Sequence, residues 1–277
     1  MWCNERYSPL DQLFQGNAPG DFSNQFLLEA TQNNLNIPKI KDSLKYMYNF
    51  FNEIRNGKKF VDGNFIEFFR HLFEKPEILE WEKFWLQRNK DLDKEIYGLV
   101  KWVNPNLSFG LNVWNRNHFN LIRKIQWPWK EQVEYSDWVK PITYQHQSGE
   151  IFQREIDIFG KTILDDLSSS ELTKVFAKIL GINETSLENL MQRGLDPDTY
   201  IYTQCKDAVR GVDGGSKVYM GIGIDAPRSS KDQAICTPDI AYRSVLATYK
   251  AGGEGFVLSP NYSSMKLSNL DGVAKAL

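Results

Sequence analysis

The sequence predicts an α/β fold built on a parallel sheet, and two observations support this prediction. Short apolar runs alternate with helical stretches, and tandem strand–helix units are typical of a parallel sheet covered by helices. These runs end in polar and aromatic residues more often than in the Gly, Pro and Asp of ordinary turns. The predicted strands are Trp2–Glu5, Leu107–Trp114, Trp138–Tyr144, Val218–Asp225 and Gly255–Ser259.

The segment 21–104 is predicted to be a helical insertion between the first two strands, within one domain that spans residues 1–277. A capping sequence at Asp21–Asn24 precedes its first helix, and Pro38 and Pro76 stand at first-turn positions of later helices. Apolar side chains recur at helical spacing, which favours a buried core over a binding surface. One such stripe consists of Phe65, Phe68, Phe69, Leu72 and Phe73.

Two polar features of this insertion are interpreted as structural. The acidic group Glu77, Glu80 and Glu82 is interpreted as a solvated helix face, and His71 as a structural residue within an apolar stripe. Further helices are predicted at Phe152–Leu164, Glu171–Leu180, Pro238–Tyr249 and Leu267–Leu277.

The composition argues against several classes of function. The net charge is -2, with 33 basic and 35 acidic residues, which lacks the basic excess of a nucleic-acid-binding protein. No apolar run is long enough to span a membrane, so no membrane partner is predicted. The 3 cysteines and 3 histidines show no metal-binding spacing, and neither a metal nor another cofactor is predicted. The localisation is left open.

The polar residues that follow the predicted strands are the candidate site. In a (β/α)₈ barrel the active site is built from the loops at the carboxyl ends of the strands. The chain also contains 8 Trp, 12 Tyr and 17 Phe, whose faces can stack on sugar rings. The candidates are Asn4, Glu5, Arg6, Trp114, Asn117, His118, Tyr144, His146, Asp225, Arg228 and Tyr262.

Several stretches of the chain resemble bacterial glycoside hydrolases with a TIM-barrel catalytic domain. The resemblance is scattered over nearly the whole chain and implies a (β/α)₈ barrel that acts on a carbohydrate, without indicating which glycan. The stretches that carry it are Trp2–Leu10, Asn112–Phe119, Tyr135–Tyr144, Gly221–Pro227 and Ala251–Ser259.

More broadly, the chain resembles the clan A retaining glycosidases. In that clan an Asn-Glu pair at the end of the fourth strand supplies the acid/base, and a carboxylate on the seventh strand supplies the nucleophile. Counting back from Gly255–Ser259 as the eighth strand makes Trp2–Glu5 the fourth. The resemblance therefore implies that Glu5 is the acid/base and Asp225 the second carboxylate.

Asp225 departs from the clan's pattern, because the clan has Glu at this position. The aspartate side chain is one methylene shorter, which places its carboxylate further back. Retaining and inverting mechanisms, which need different separations between the two carboxyl groups, both stay open.

The other candidates are assigned supporting roles in this scheme. Trp2 and Trp114 would desolvate Glu5 and raise its pKa, while Arg6 or Arg228 would keep a carboxylate ionised. Asn4 would hydrogen-bond a sugar hydroxyl, Asn117 would contact the substrate, and Tyr144 would orient the nucleophile. His118 and His146 would bind hydroxyl groups or tune the acid. Trp114 and Tyr262 would stack on a sugar ring.

Three of these residues could instead have purely structural roles. Glu5 could be a surface residue, Asp225 a turn residue and Trp114 a core residue. For the whole chain, the alternatives are a non-catalytic carbohydrate-binding α/β module, or a sugar isomerase or lyase on a TIM barrel.

The strand count predicts a partial barrel that comprises strands four to eight. A parallel sheet that stops short of closure exposes strand edges and an unfilled interior. The chain alone is therefore expected to be poorly stable, or to self-associate through the open edge of the barrel.

Overall fold

The computed structural model describes residues 2–3, 7–19, 22–183, 187–225, 234–260 and 262–277. By the contacts between their residues they fall into two compact units. We call them the helical unit, which comprises residues 6–93 and 156–172, and the sheet unit, which comprises residues 1–5, 94–155 and 173–277.

The helical unit begins with five helices, the last of which continues into the sheet unit. Ser23 caps the second helix by accepting a hydrogen bond from the backbone N–H of Phe26 at 3.3 Å, and Pro38 lies in the first turn of the third. The helices are α1 (Pro9–Phe14), α2 (Asn24–Gln32), α3 (Ile37–Arg55), α4 (Asn64–Glu74) and α5 (Glu77–Val103).

Aromatic side chains form the core of the helical unit. The ring of Phe14 lies 4.7 Å from that of Phe51, 5.4 Å from that of Phe68 and 5.1 Å from that of Phe159, measured between ring centroids. His71 is buried, and its Nδ1 lies 3.1 Å from the hydroxyl of Tyr46, which fits its structural interpretation.

The predicted core stripe of α4 is only partly correct. Phe68 and Leu72 are buried, but Phe65, Phe69 and Phe73 are 44%, 43% and 85% exposed. These three phenylalanines recur every four residues and share one face of the helix. The apolar arc of α4 is therefore wider than the face that it buries.

The interpretation of the acidic group on α5 as a solvated face is wrong for two of its three members. Glu77 pairs with Lys39 and accepts a hydrogen bond from Ser43 Oγ at 3.2 Å. Glu82 accepts one from the backbone N–H of Leu10 at 2.9 Å. Both glutamates are buried, and the hydrogen bond from Lys39 is the main cause that lowers the pKa of Glu77.

The sheet unit contains a parallel sheet whose strands lie side by side in chain order, which confirms the α/β class. Strands two to five form its four-stranded body, and the two-residue first strand pairs with the second. The strands are β1 (Trp2–Cys3), β2 (Gly110–Val113), β3 (Trp138–Pro141), β4 (Lys217–Gly223) and β5 (Gly255–Ser259).

Nine further helices of the described chain follow these strands or the loops between them. Within the part of the chain that the structure describes, no helix is both long enough and apolar enough to cross a membrane. The helices are α6 (Arg116–Phe119), α7 (Leu121–Gln126), α8 (Trp129–Gln132), α9 (Gln145–Gly160), α10 (Ser169–Leu180), α11 (Leu187–Arg193), α12 (Pro197–Val212), α13 (Pro238–Lys250) and α14 (Leu267–Ala274).

Three predicted strands extend beyond the observed ones. The run 107–114 pairs as a strand only over β2, the run 138–144 ends as a strand at Pro141, and the run 218–225 ends as a strand at Gly223. After Pro141 the pairing continues only as an isolated bridge between Ile142 and Gly221. The helix α9 then begins at Gln145, where the carbonyl of Tyr144 accepts hydrogen bonds from the backbone N–H groups of Gln147 and Ser148. The polar residues after β3 are thus placed on a helix start rather than on an extended strand.

The core of the sheet unit lies around β3 and β4. Val139, Val218, Met220 and Ile222 are at most 1% exposed. Near-continuous burial along β4 is the pattern of a parallel strand covered on both faces. The same burial leaves the carboxyl ends of the strands as the place where polar side chains gather.

Candidate functional site

Seven of the candidate residues lie within the described chain, and they follow consecutive strands of the sheet. Because the strands are parallel, their carboxyl ends meet at one edge. Trp114, Asn117 and His118 follow β2, Tyr144 and His146 follow β3, Asp225 follows β4, and Tyr262 follows β5.

The other four candidates, Asn4, Glu5, Arg6 and Arg228, lie outside the described residues. The proposed pairing of the Glu5 and Asp225 carboxylates therefore stays a prediction.

Tyr144 and His146 lie against the end of β4. Their rings are stacked, with centroids 6.5 Å apart and planes inclined by 7°. A Cβ atom added at Gly223 would lie 2.7 Å from Cε1 of His146 and 2.9 Å from Cγ of Tyr144. Glycine at this position lets the two rings approach the backbone of β4, two residues before Asp225.

The Asp225 carboxylate is held by the start of α14. Its Oδ2 accepts a hydrogen bond from the backbone N–H of Lys266 at 2.8 Å, and Nδ2 of Asn269 lies 3.2 Å from Oδ1 and 3.1 Å from Oδ2. Nζ of Lys266 is 3.6 Å from Oδ1. A carboxylate beside the first turn of a helix is also favoured by the helix dipole. These contacts give Asp225 a structural role at the start of α14, in addition to any catalytic role.

The two aromatic candidates differ in exposure. Trp114 is only partly exposed, directly after β2, whereas Tyr262 is 82% exposed in a 3₁₀ turn after β5. The ring of Tyr262 is thus accessible to a ligand from solvent.

Asn117 and His118 line a different pocket, on the helices rather than at the strand edge. The pocket has a volume of about 510 Å³ and lies between α6, α7, the Trp127–Trp129 segment and the second half of α12. We call it the α12 pocket. Its other lining side chains include Arg123, Lys124, Gln204, Asp207 and Arg210.

A chain of hydrogen bonds connects His118 with the end of β3. Nδ1 of His118 lies 2.9 Å from the hydroxyl of Tyr200, which is 3.3 Å from Ser148 Oγ. Ser148 Oγ in turn donates to the carbonyl of Tyr144 at 2.9 Å. Burial lowers the pKa of His118 to about 3, with a smaller contribution from the charge of Lys124, so the imidazole is neutral at physiological pH.

The sequence reasoning missed Gln145, which lies between the candidates Tyr144 and His146. Gln145 is 2% exposed, and neither atom of its side-chain amide has a hydrogen-bond partner among the described residues. It lines a pocket of about 560 Å³ that also includes Arg193, Asp196 and Arg243. We call this the strand-edge pocket. The available signal was position, because Gln145 directly follows two other candidates at the end of a predicted strand.

The chemistry of the strand-edge pocket suits a neutral polar ligand. The lining contains two arginines and two aspartates, Asp196 and Asp239, so its formal charges balance. Arg243 is ion-paired with Asp196 and Asp198. A carboxamide both donates and accepts hydrogen bonds, as sugar hydroxyl groups do. Gln145 is therefore suited to bind a hydroxyl-rich molecule.

A buried ion pair was also missed, at the start of α6. The guanidinium of Arg116 pairs with Glu155, and Nδ2 of Asn120 donates to Oε2 of Glu155 at 2.7 Å. Arg116 and Glu155 are 2% and 0% exposed. Neither residue lines either of the two pockets, and the pair is therefore assigned a structural role.

Within the described ranges, no group of three or more His, Cys, Asp or Glu side chains is placed to hold a metal ion. Comparisons with protein-family models, with curated proteins and with solved structures found no match for this chain. The functional conclusion therefore depends on the fold and on the residues at the strand ends.

Proposed function

We propose that this protein is a glycoside hydrolase of the (β/α)₈ class that acts on an oligo- or polysaccharide, with β1 to β5 as the fourth to eighth strands of its barrel. The observation that supports this proposal is the strand order, since β1 to β5 are parallel neighbours in chain order. Barrel strands follow one another in this way, whereas a doubly wound sheet reverses its order at a switch point.

In this proposal the two carboxylates are Glu5 and Asp225. Glu5 follows β1 by two residues in the sequence and protonates the leaving oxygen, while Asp225 acts as nucleophile or as the base that activates water. Gln145, Tyr144 and His146 bind the sugar at the ends of β3 and β4. No cofactor takes part, and the carbohydrate is the partner.

The test is hydrolysis of a panel of aryl glycosides and oligosaccharides by the full-length protein and its variants. Glu5→Gln and Asp225→Asn are expected to lower turnover by about 10²–10⁴-fold, the usual contribution of acid–base catalysis. Sugar binding, measured by calorimetry, should persist in both variants because the binding side chains remain.

Asn269→Ala is the matched control for Asp225. It removes hydrogen bonds to the carboxylate but leaves the carboxylate itself in place. The proposal requires Asp225→Asn to lose turnover while Asn269→Ala keeps it, even if both variants melt at a lower temperature. Equal turnover in the two variants would remove Asp225 from the mechanism.

A second candidate function is a carbohydrate-binding module without chemistry. The observation that favours it is the engagement of both Asp225 oxygens by α14, which leaves a structural role sufficient for this residue. This candidate expects sugar binding that is weakened by Gln145→Ala, together with no turnover by the unaltered protein on any glycan.

We further propose that copies of the chain associate along an edge of the sheet. Among the described strands, β5 pairs only with β4, and the backbone groups of an edge strand can pair with another chain. Sedimentation velocity at increasing protein concentration tests this proposal, which fails if the protein stays monomeric throughout.

A further inference from the structure

The α12 pocket has the size and position of a binding site separate from the strand edge. Its volume of about 510 Å³ lies within the range of small-molecule sites. Four of its twelve lining residues, Gln204, Asp207, Arg210 and Gly211, lie on α12. A ligand there would therefore contact the helices rather than Asp225.

The charges that line the pocket favour an anion. The lining contains three cationic side chains, Arg123, Lys124 and Arg210, and one carboxylate, that of Asp207. Within the described chain, neither Lys124 nor Arg210 has an ion-pair partner within 4.0 Å. Part of Lys124 is exposed, yet burial by the surrounding protein lowers its pKa, and Asp207 only partly opposes this effect. A negatively charged ligand would restore the solvation that the ammonium group lacks.

Arg123 is held in place beside the pocket. It is 3% exposed, and its Nη1 donates to Oδ1 of Asn117 at 3.1 Å, while its backbone N–H donates to Oδ1 of Asn120 at 3.0 Å. The predicted candidate Asn117 thus serves to orient this guanidinium. Such an orientation reduces the entropy that binding would otherwise cost.

His118 adds a neutral imidazole to the lining. Its Nδ1 lies 2.9 Å from the hydroxyl of Tyr200, so one ring nitrogen is already engaged. The other, Nε2, is buried and has no hydrogen-bond partner among the described residues, which is a costly state that a polar atom of a ligand would relieve. Nε2 donates or accepts this hydrogen bond according to which ring nitrogen carries the proton.

Two tryptophans supply an apolar wall for a ring. Trp127 and Trp129 both line the pocket and are partly buried. A Cβ atom added at Gly211 would lie 2.5 Å from Cβ of Trp129, so α12 packs directly against this residue and fixes it. Indole faces suit the apolar face of a sugar or another ring.

We propose that the α12 pocket binds a small ring-containing molecule that carries a phosphate or carboxylate group. Lys124 and Arg210 pair with the anionic group, His118 Nε2 hydrogen-bonds a polar atom of the ligand, and the indole rings contact the ring of the ligand. This inference goes beyond the proposed hydrolase activity and does not depend on it.

The test is isothermal titration of the full-length protein with four probes: inorganic phosphate, glucose 6-phosphate, glucuronate and glucose. The proposal expects binding of glucose 6-phosphate or glucuronate, and weaker or no binding of glucose. Comparison of glucose 6-phosphate with glucuronate distinguishes a phosphate from a carboxylate as the preferred group. Absence of binding by both, or equal binding of glucose, would overturn the proposal.

Variants test which residues hold the anion. Lys124→Met and Arg210→Met are each expected to weaken binding of the anionic probe about tenfold or more, since each removes a charge-assisted contact. Lys130→Met is the control, because Lys130 is an exposed cation on α8 that does not line the pocket. Asp207→Asn should strengthen binding, a gain that a merely unfolded variant would not show. If Lys130→Met weakens binding as much as Lys124→Met, the attraction is not specific to the pocket and the proposal fails.

Loss of this binding is distinguishable from loss of the proposed catalysis. Glu5→Gln is expected to lower glycoside turnover by about 10²–10⁴-fold while leaving the titration with the anionic probe unchanged. Conversely, anion binding that disappears in Glu5→Gln would show that the probe occupies the strand edge, and would overturn the assignment to the α12 pocket.

Discussion

Glu155 forms a buried ion pair with Arg116. Both side chains are almost fully buried, so removing one charge takes a hydrogen-bonded counter-ion from the other where water cannot replace it. Glu155→Gln is expected to lower the free energy of unfolding by about 3–5 kcal/mol, measured by urea titration. The matched control is Glu134→Gln, which breaks the exposed pair with Lys94 at 2.7 Å and should cost less than about 1 kcal/mol. Equal costs would contradict the buried charge pair.

The buried His118 is expected to make the free energy of unfolding depend on pH. Its pKa falls from 6.5 to about 3 on folding, so between these values the unfolded chain binds the proton that the folded chain rejects. Stability is therefore full above about pH 6.5 and declines as the pH falls towards 3, with a slope of up to about 1.4 kcal/mol per pH unit from this residue. His118→Gln lacks this titration and should lose less stability between pH 7 and pH 4. Parallel pH profiles for the two proteins would argue against a buried neutral His118.

The residues that sequence reasoning misjudged have partners that are far away along the chain. Glu82 was interpreted as solvated, yet its partner is the backbone of Leu10. Burial of a carboxylate depends on such a partner, and spacing along one helix does not reveal it. By contrast, Trp114, Tyr144 and Asp225 lie shortly after β2, β3 and β4, and their positions follow from recognising the strand before each of them.

The packing of α14 on α13 depends on a glycine. A Cβ atom added at Gly272 would lie 2.1 Å from the carbonyl oxygen of Pro238, at the start of α13, and this backbone cannot move aside cheaply. Gly272→Ala is expected to destabilise the protein by about 1–3 kcal/mol, the usual cost of overpacking. Gly98→Ala, within α5, is the matched control, because nothing lies within 4 Å of the added atom.

Gly98→Ala should raise stability by about 0.5–1 kcal/mol, since alanine favours the helical state that glycine disfavours. Thermal unfolding of both variants gives the measurement. A stabilised Gly272→Ala variant would mean that α14 does not approach α13 so closely.

At the level of secondary-structure elements, the presence and order of the strands were easier to predict than the residues at which they end. All five predicted strands occur in the predicted order, because apolar runs with polar ends mark a buried parallel sheet. The predicted end of β3 at Tyr144 is later than the observed end at Pro141, beyond which only Ile142 still forms a bridge, to Gly221. Backbone hydrogen bonding at Tyr144 decides this boundary, and composition does not reveal it.

The division of the whole molecule into two units depends on contacts between distant segments. The insertion was predicted at 21–104, whereas the helical unit comprises residues 6–93 and 156–172. Segment 156–172 joins through contacts such as that of Phe159 with Phe14, and the hydrogen bond from Asn64 Nδ2 to Asp165 Oδ1 at 2.5 Å. No periodicity in the sequence indicates these contacts, because each segment alone reads as an ordinary amphipathic helix.

Stability across the sheet unit can be followed with two of its cysteines. Burial raises the pKa of both Cys205 and Cys236 to about 12, so each reacts with a thiol reagent only when the protein opens. Cys205 lies on α12 within the core, with its Sγ 3.5 Å from the carbonyl of Thr248 on α13. Cys236 lies in the irregular segment before α13, with its Sγ 3.6 Å from the carbonyl of the adjacent Thr237.

We therefore expect Cys205 to become reactive only through unfolding of the whole sheet unit, and Cys236 through a smaller local opening. Labelling with a thiol reagent in urea below the unfolding midpoint, resolved by peptide mass spectrometry, gives the two rates in one sample. The Cys205 rate should rise steeply with urea and the Cys236 rate only weakly, because urea sensitivity scales with the surface exposed on opening. Ile201→Ala, which opens a cavity in α12, should accelerate Cys205 more than Cys236. Equal slopes for the two thiols would mean that the sheet unit opens as a whole, with no separate local event at Cys236.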